Sequence, residues 1–428
     1  MQNFWQKFTT ALKDPILRKR IGFTIGALIV FRLLAAIPIP GVDIANLSKL
    51  LGSSQVFGFL NIFSGGGLSN FSIAMLGVGP FITASIIIQL LTMMFPKWKA
   101  LMHEEGQAGR TKLSNYSRIL SVPLALVQAV GFIFLLEKGN AIVHLGATSL
   151  IINTVVLAAG SILLMWIGEL ISEFGIGNGV SLIIFGGIIS RLPTSLIQNY
   201  QKLSSTGASD LPFYLAVGVI AIVAIAAVVY ITEAERPVPV TYAKQVRGNK
   251  VYGGVSTYLP LRLNHAGVIP IIFALSIVLI PQFITGLLSK VSNVVVASYA
   301  SSFSVFFQNL WIYGSLYFVL VVIFTYFYTA VTFDPTMISQ NLQQGGAFIP
   351  GVRPGDHTRD YLAAIVTRIT LVGAVFLGII AVLPIVIQGF SPDSTQSFAV
   401  GGTSLLIVVS VVLDLLKKID AQVAMREY

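Results

Sequence analysis

The chain has 428 residues, of which 55% are hydrophobic and only 10% charged, with a mean hydropathy of +0.84 and a formal charge of +10. That composition excludes an ordinary water-soluble fold, whose surface needs far more charge. Cysteine is absent, so disulfides and thiolate metal sites are excluded, and compartment cannot be inferred from that absence.

A bilayer core is about 30 Å thick and a helix rises about 1.5 Å per residue, so about 20 apolar residues make one crossing. Ten stretches approach that length: residues 20–38, 71–94, 115–136, 149–172, 180–198, 211–232, 265–288, 307–331, 366–389 and 400–416. Their apolar runs are continuous, unlike the roughly ten-residue alternation of barrel strands, so the spans are helices. The expected fold class is an all-α membrane protein with ten transmembrane helices. Five spans precede about residue 205 and five follow. Equal halves with an odd number of spans are inverted relative to one another, an arrangement many transport proteins build around a mid-membrane pathway. The expected divisions are a cytosolic N-terminal segment (1–19), an N-terminal half (20–205), a C-terminal half (206–416) and a tail (417–428).

With the N terminus in the cytosol, the 27 Lys and Arg residues fall in or beside cytosolic segments, except Lys49, Lys138, Arg191, Lys202 and Lys290 outside and Arg32 within the first span. The opposite orientation would break the positive-inside rule. The basic charge is therefore topological and does not point to nucleic acid. Both termini are expected in the cytosol.

Residues 1–19 mix Phe4, Trp5 and Phe8 with Lys7, Lys13, Arg18 and Lys19, which suits either a helix lying on the membrane surface or a basic tail that enforces topology. The first apolar run ends in Ile37-Pro38-Ile39-Pro40-Gly41 without a small-residue cleavage site, so it reads as a retained helix. Between the first two spans, residues 56–63 are apolar but too short to cross, and Ser64-Gly65-Gly66-Gly67 follows. A re-entrant half-helix explains the length and the glycines; an external loop dipping into the interface is the alternative.

Two cytosolic loops are long. Residues 233–264 carry Arg236, Lys244, Arg247, Lys250 and Arg262, and residues 332–365 carry Arg353 and Arg359. Val238, Val240, Val251 and Tyr252 give the first a short β-like alternation. Such loops suit docking of a partner, although cytosolic loops are basic in any case.

No catalytic or metal constellation is present. His103, His144, His265 and His357 fall in different loops or span edges without paired-ligand spacing. Gly175-Ile176-Gly177-Asn178-Gly179 lacks the Lys-Ser/Thr of a nucleotide loop and reads as a tight turn between spans four and five. Glu169, Glu173 and Asp414 lie near span ends, so no mid-span carboxylate offers proton coupling. This disfavours a secondary transporter, the rival from another class, and a membrane enzyme. What remains is a passive pathway gated by apolar residues: a channel.

Several motifs recur in order over nearly the whole chain. They are Phe31-Arg32 through Gly41, Ser64–Gly67, the run Pro80-Phe81-Ile82-Thr83-Ala84-Ser85-Ile86-Ile87-Ile88-Gln89-Leu90-Leu91, and Gly175–Ser181. Tyr242-Ala243-Lys244, Leu259-Pro260-Leu261, Gly267-Val268-Ile269-Pro270, Pro350-Gly351-Val352-Arg353-Pro354-Gly355 and Gly401-Gly402-Thr403-Ser404-Leu405-Leu406 complete them. Together they resemble the bacterial SecY family, the channel subunit of the Sec protein translocase.

The resemblance implies an hourglass channel of two inverted five-helix halves with a re-entrant plug. It passes unfolded secretory chains across the plasma membrane, releases hydrophobic helices sideways into lipid, and does no bond chemistry or cofactor chemistry itself. It implies a constriction ring of Val78, Ile82, Val180, Ile184, Ile272 and Ile407, where the first four form two i, i+4 pairs that each face one way. An aliphatic collar excludes water by dewetting yet yields to a chain because it has no hydrogen bonds to break. The plug would comprise Phe57, Phe59, Leu60, Asn61, Phe63, Ser64, Gly65, Gly66 and Gly67. A lateral gate would open between spans two and three on one side and seven and eight on the other. Its polar residues would be Thr83, Gln128 and Ser276, each equally suited to satisfying its own backbone. Lys244, Arg247, Lys250 and Arg353 would dock a SecA motor or the ribosome, although Gln245 and Asn249 stand where family members often carry arginine. The other implied partners are a clamping SecE-like subunit, a SecG-like subunit, signal-bearing precursors and membrane lipid.

Overall fold

The computed structural model describes residues 14–39, 64, 67–68, 71–95, 97–98, 101, 106–138, 146–206, 211–243, 245–247, 250–252, 254, 256–264, 267–288, 298, 309–389 and 401–424. Each of the ten expected spans contains a helix. The N-terminal half holds α1 (Pro15–Ala36), α2 (Gly79–Met94), α3 (Gly106–Lys138), α4 (Ala147–Phe174) and α5 (Gly179–Thr206). The C-terminal half holds α6 (Leu211–Glu233), α7 (Ile269–Leu288), α8 (Leu310–Thr332), the short α9 (Pro335–Gln344), α10 (Asp356–Gly389) and α11 (Gly401–Ala424). Length and composition alone qualify the described stretches 106–134, 147–174, 215–233, 310–344 and 356–389 as membrane spans.

Local chemistry sets the ends. Asp14 caps α1, its Oδ1 accepting from the Ile16 N–H at 3.0 Å, and Pro15 fills the first turn where no N–H is needed. Beyond α1 the chain turns extended: the Ile39 N–H donates to the Phe71 carbonyl at 2.8 Å, and the Ile73 N–H to the Ile37 carbonyl at 3.1 Å. The second span is shorter than expected, because residues 71–78 are turns and α2 begins only at Gly79. Phe71 and Gly77 adopt positive φ of 44° and 57°, which a right-handed helix cannot contain, and Pro80 then opens α2.

Several helices instead outrun their apolar stretches. α3 starts at Gly106 and not 115, α10 at Asp356 and not 366, and α11 continues to Ala424 beyond 416. Hydropathy marks where lipid ends; a helix continues as long as its backbone bonds and side-chain packing support it.

Inside lipid no water drives helices together, so close fit has to do it, and small residues permit the closest approach. Gly160 of α4 lies against the Ile73 carbonyl, where any Cβ would overlap it. Gly378 of α10 receives the Phe318 ring of α8, while Gly314 of α8 faces Ile385 of α10. The two halves meet along α2 and α3 against α7, and along α5 against α11.

Four strands follow α6: β1 (Glu235–Tyr242), β2 (Gln245–Arg247), β3 (Lys250–Tyr252) and β4 (Ser256–Arg262); β5 (Ala347–Phe348) follows α9. One antiparallel sheet has the order β4-β1-β5, pairing Glu235 with Arg262 through Thr241 with Ser256, and Thr241 with Phe348. β2 and β3 form a separate hairpin. The two long loops are thus one structure. Val238, Val240, Leu261, Ala347 and Ile349 bury one face of the sheet against Leu362, Ile365, Val366 and Ile369 of the α10 extension.

Candidate functional site

An apolar cluster draws from both halves and contains Val78, Ile82, Ile184, Ile272 and Ile407, with Val180 packed against it. Val78 is fully buried and caps α2 rather than lying inside it; its carbonyl still accepts from the Ile82 N–H at 3.1 Å, so the pair keeps helical spacing. Ile184, Ile272 and Ile407 are buried on α5, α7 and α11. Five of the six aliphatic residues singled out from the sequence are therefore members of one cluster shared by both halves, and Val180 packs against it. The same stripes run one turn further through Ile86, Ile188 and Val411, which sit in the same cluster at i+4. The same i+4 spacing in the sequence signals that extension.

Along the seam where α2 and α3 face α7, two of the three expected polar residues meet. Gln128 Nε2 donates to Thr83 Oγ1 at 3.5 Å, and Thr83 Oγ1 donates to the Gly79 carbonyl at 3.0 Å. Ser276 instead donates to the Ile272 carbonyl of its own helix at 2.9 Å. Thr83–Gln128 thus joins α2 to α3 on one side of the seam, and Ser276 does not cross it.

Of the expected plug, Phe57, Phe59, Leu60, Asn61, Phe63, Gly65 and Gly66 lie outside the described residues. Ser64 is buried and its Oγ accepts from the Leu68 N–H at 3.0 Å. Gly67 sits where a Cβ would come within 2.8 Å of Ser72 Oγ and 2.9 Å of the Ala74 carbonyl. The turns after it are pinned to α4, where buried Ser161 donates to the Gly77 carbonyl at 2.9 Å. Sequence reasoning missed this anchor, since a lone serine in an apolar span carries no signal of its partner.

Arg353 is exposed on the turn between β5 and α10. Thr358 donates to its carbonyl at 2.9 Å, and Ser339 of α9 donates to the Gly355 carbonyl at 2.6 Å, so the turn is held at both ends. Arg359 is engaged differently: it pairs with Asp356 and Asp360. Arg247 and Lys250 pair across the β2–β3 hairpin, and Lys244 lies outside the described residues. Cross-helix ion pairs tie other helices: Arg118 of α3 to Glu169 of α4, and Lys417 of α11 to Glu233 of α6.

The sequence model of the SecY family matches residues 72–416. A relative from Mycobacterium bovis, named "Protein translocase subunit SecY", is 40% identical over 440 residues, covering 98% of each chain. One from Corynebacterium glutamicum with the same name is 41% identical over 436 residues, again covering 98% of each. Among solved structures, "The structure of a protein conducting channel" superposes with a TM-score of 0.64 at 19% identity, covering 96% of this chain and 94% of the other. At that identity the likeness speaks to fold alone.

Proposed function

The chain belongs to the SecY family, and on that premise we propose how its residues divide the work of a protein-conducting channel. As a member it is a multi-pass plasma-membrane protein that translocates polypeptides and catalyses no bond chemistry itself. Secretory chains cross it unfolded and hydrophobic segments leave it sideways into lipid. Both termini lie in the cytosol, as the charge distribution requires.

Val78, Ile82, Val180, Ile184, Ile272 and Ile407 form the collar. The single observation that carries this is their gathering, from four helices of both halves and the turn before α2, into one apolar cluster. Such a waist stays dry when empty and deforms around an extended chain. Phe57, Phe59, Leu60, Asn61, Phe63, Ser64, Gly65, Gly66 and Gly67 form the plug, and the seam of α2 and α3 against α7 is the lateral gate. The Thr83–Gln128 contact is weak enough to be remade; polar contacts between membrane helices average about 0.6 kcal/mol.

The cytosolic loops, joined through the β4-β1-β5 sheet, dock a SecA-type motor or a ribosome through Arg353, Lys244, Arg247 and Lys250. A SecE-like subunit clamps the halves, and a SecG-like subunit accompanies them. The test is reconstitution of the chain with a small SecE-like subunit in vesicles, with ATP and a SecA-type motor. A signal-bearing precursor becomes protease-protected only when all are present; protection independent of this chain would refute the reading.

A further inference from the structure

On the channel reading the β4-β1-β5 sheet belongs to the cytosolic loops that receive unfolded chains, and its edges carry three prolines at outward positions. The Ala243 N–H donates to the Gly346 carbonyl at 2.9 Å on the β5 side of β1, whereas the Tyr242 carbonyl accepts from the Gly254 N–H at 3.2 Å on the β4 side. Backbone groups of successive strand residues point alternately to the two flanks. Odd-numbered residues of β1 therefore face β5 and even-numbered ones face β4; the Leu263 N–H on the Ala234 carbonyl at 3.0 Å agrees.

The outward positions of β1 are then Glu235, Pro237 and Pro239, with Thr241 covered by Phe348. Continuing that register places Pro239 opposite Pro350. Neither can donate, so the ladder stops and β5 is only two residues long. On β4 the residues facing β1 are Leu261, Leu259 and Thr257, which leaves Ser256, Tyr258, Pro260 and Arg262 outward. Pro237, Pro239 and Pro260 are all exposed, and each sits where its missing N–H costs the β1–β4 ladder nothing.

An unpaired strand edge is a template for any extended chain. A channel for unfolded polypeptide presents such chains to its own surface continuously. We propose that Pro237 and Pro239, with Pro260 on the opposite edge, keep this sheet from capturing the chain in transit by strand addition. The β1 edge offers carbonyl acceptors but no donor at two consecutive outward positions, and the proline rings occupy the space an incoming carbonyl would need. The inference rests on the channel reading above and concerns a different property, passage without retention.

The test compares wild type with Pro237→Val/Pro239→Val in vesicles holding the complete complex and its motor. Two restored donors lengthen the dwell of a partly translocated precursor by roughly tenfold. A precursor crosslink to residues 235–241 rises with it, and both effects vanish for a precursor with proline at alternate positions. Unchanged dwell in a variant of unchanged melting temperature overturns the proposal. So does self-association of the variant without a change in transit, which would mean that the prolines only keep copies apart. Pro239→Ala alone, with a smaller expected delay, serves if the double variant fails to fold. Failure of wild type to transport would instead refute the channel reading.

Discussion

The hydroxyl of Thr24 accepts a hydrogen bond from the backbone N–H of Ile176 at 3.2 Å, joining α1 to the α4–α5 turn across 152 residues of sequence. The same hydroxyl donates to the Arg20 carbonyl at 2.9 Å, so both of its roles are used. Gly175 leaves the room, since a Cβ there would lie 2.5 Å from Thr24 Oγ1. Replacing Thr24 by Val keeps the shape but strands a buried N–H. The expected cost is about 1–3 kcal/mol, read as a lower unfolding midpoint in detergent, with Thr24→Ser near wild type.

Gly179 and Gly218 should respond in opposite ways to alanine. A Cβ at Gly179 would overlap the Gly168 carbonyl and sit 2.8 Å from Ile171 Cβ, so α4 and α5 must part. Gly179→Ala is expected to lose folded protein in fluorescence-detected chromatography, a cost of about 1–3 kcal/mol or more. Nothing lies within 4 Å of the Cβ position at Gly218 on α6. Gly218→Ala is expected to be neutral or to stabilise by up to about 1 kcal/mol through better helix propensity.

Ile82→Asn and Ile407→Asn place an amide in the proposed collar, at positions only 7% and 1% exposed. The amide recruits water that the aliphatic wall excludes. Ion leakage through the purified complex in liposomes is expected to rise above wild type for both. Leakage at the wild-type level would remove these residues from the collar.

Arg353→Glu reverses charge on a turn whose backbone is held by Thr358 and Ser339, so the fold should be unaffected. Motor-driven export of a precursor is expected to fall at least several-fold while membrane insertion persists, as loss of a charge contact at a docking surface predicts. Export at the wild-type rate would place the docking surface elsewhere.

The ten helices were legible because lipid demands about 20 apolar residues in a row, a signal few other structures produce. Their ends were not: nothing in the polar stretch 106–114 or 356–365 distinguishes helix from loop until it is packed. The turns at 71–78 were hidden by apolar residues that match a span in composition while Phe71 and Gly77 depart from helix in backbone angle. Val78, Ile82 and their companions look like any membrane aliphatics, so resemblance selected them, and their common membership of one cluster has no trace in the sequence. The β-like alternation at Val238 and Val240 foretold a strand, but its pairing to Ala347–Phe348, about a hundred residues on, had no local trace.

Two ladder pairs, Thr241–Phe348 and Tyr242–Ala347, fasten the Arg353 turn to β1, and β1 is laced along its length to β4. After β4 the Leu263 carbonyl lies 2.7 Å from where a Cβ of Gly373 would stand, so the strand's exit is seated in a dent of α10 just before α7 begins. The turn that carries Arg353 is consequently not a slack loop. It is joined strand by strand to the chain that leads into α7, the helix packed against α2 and α3.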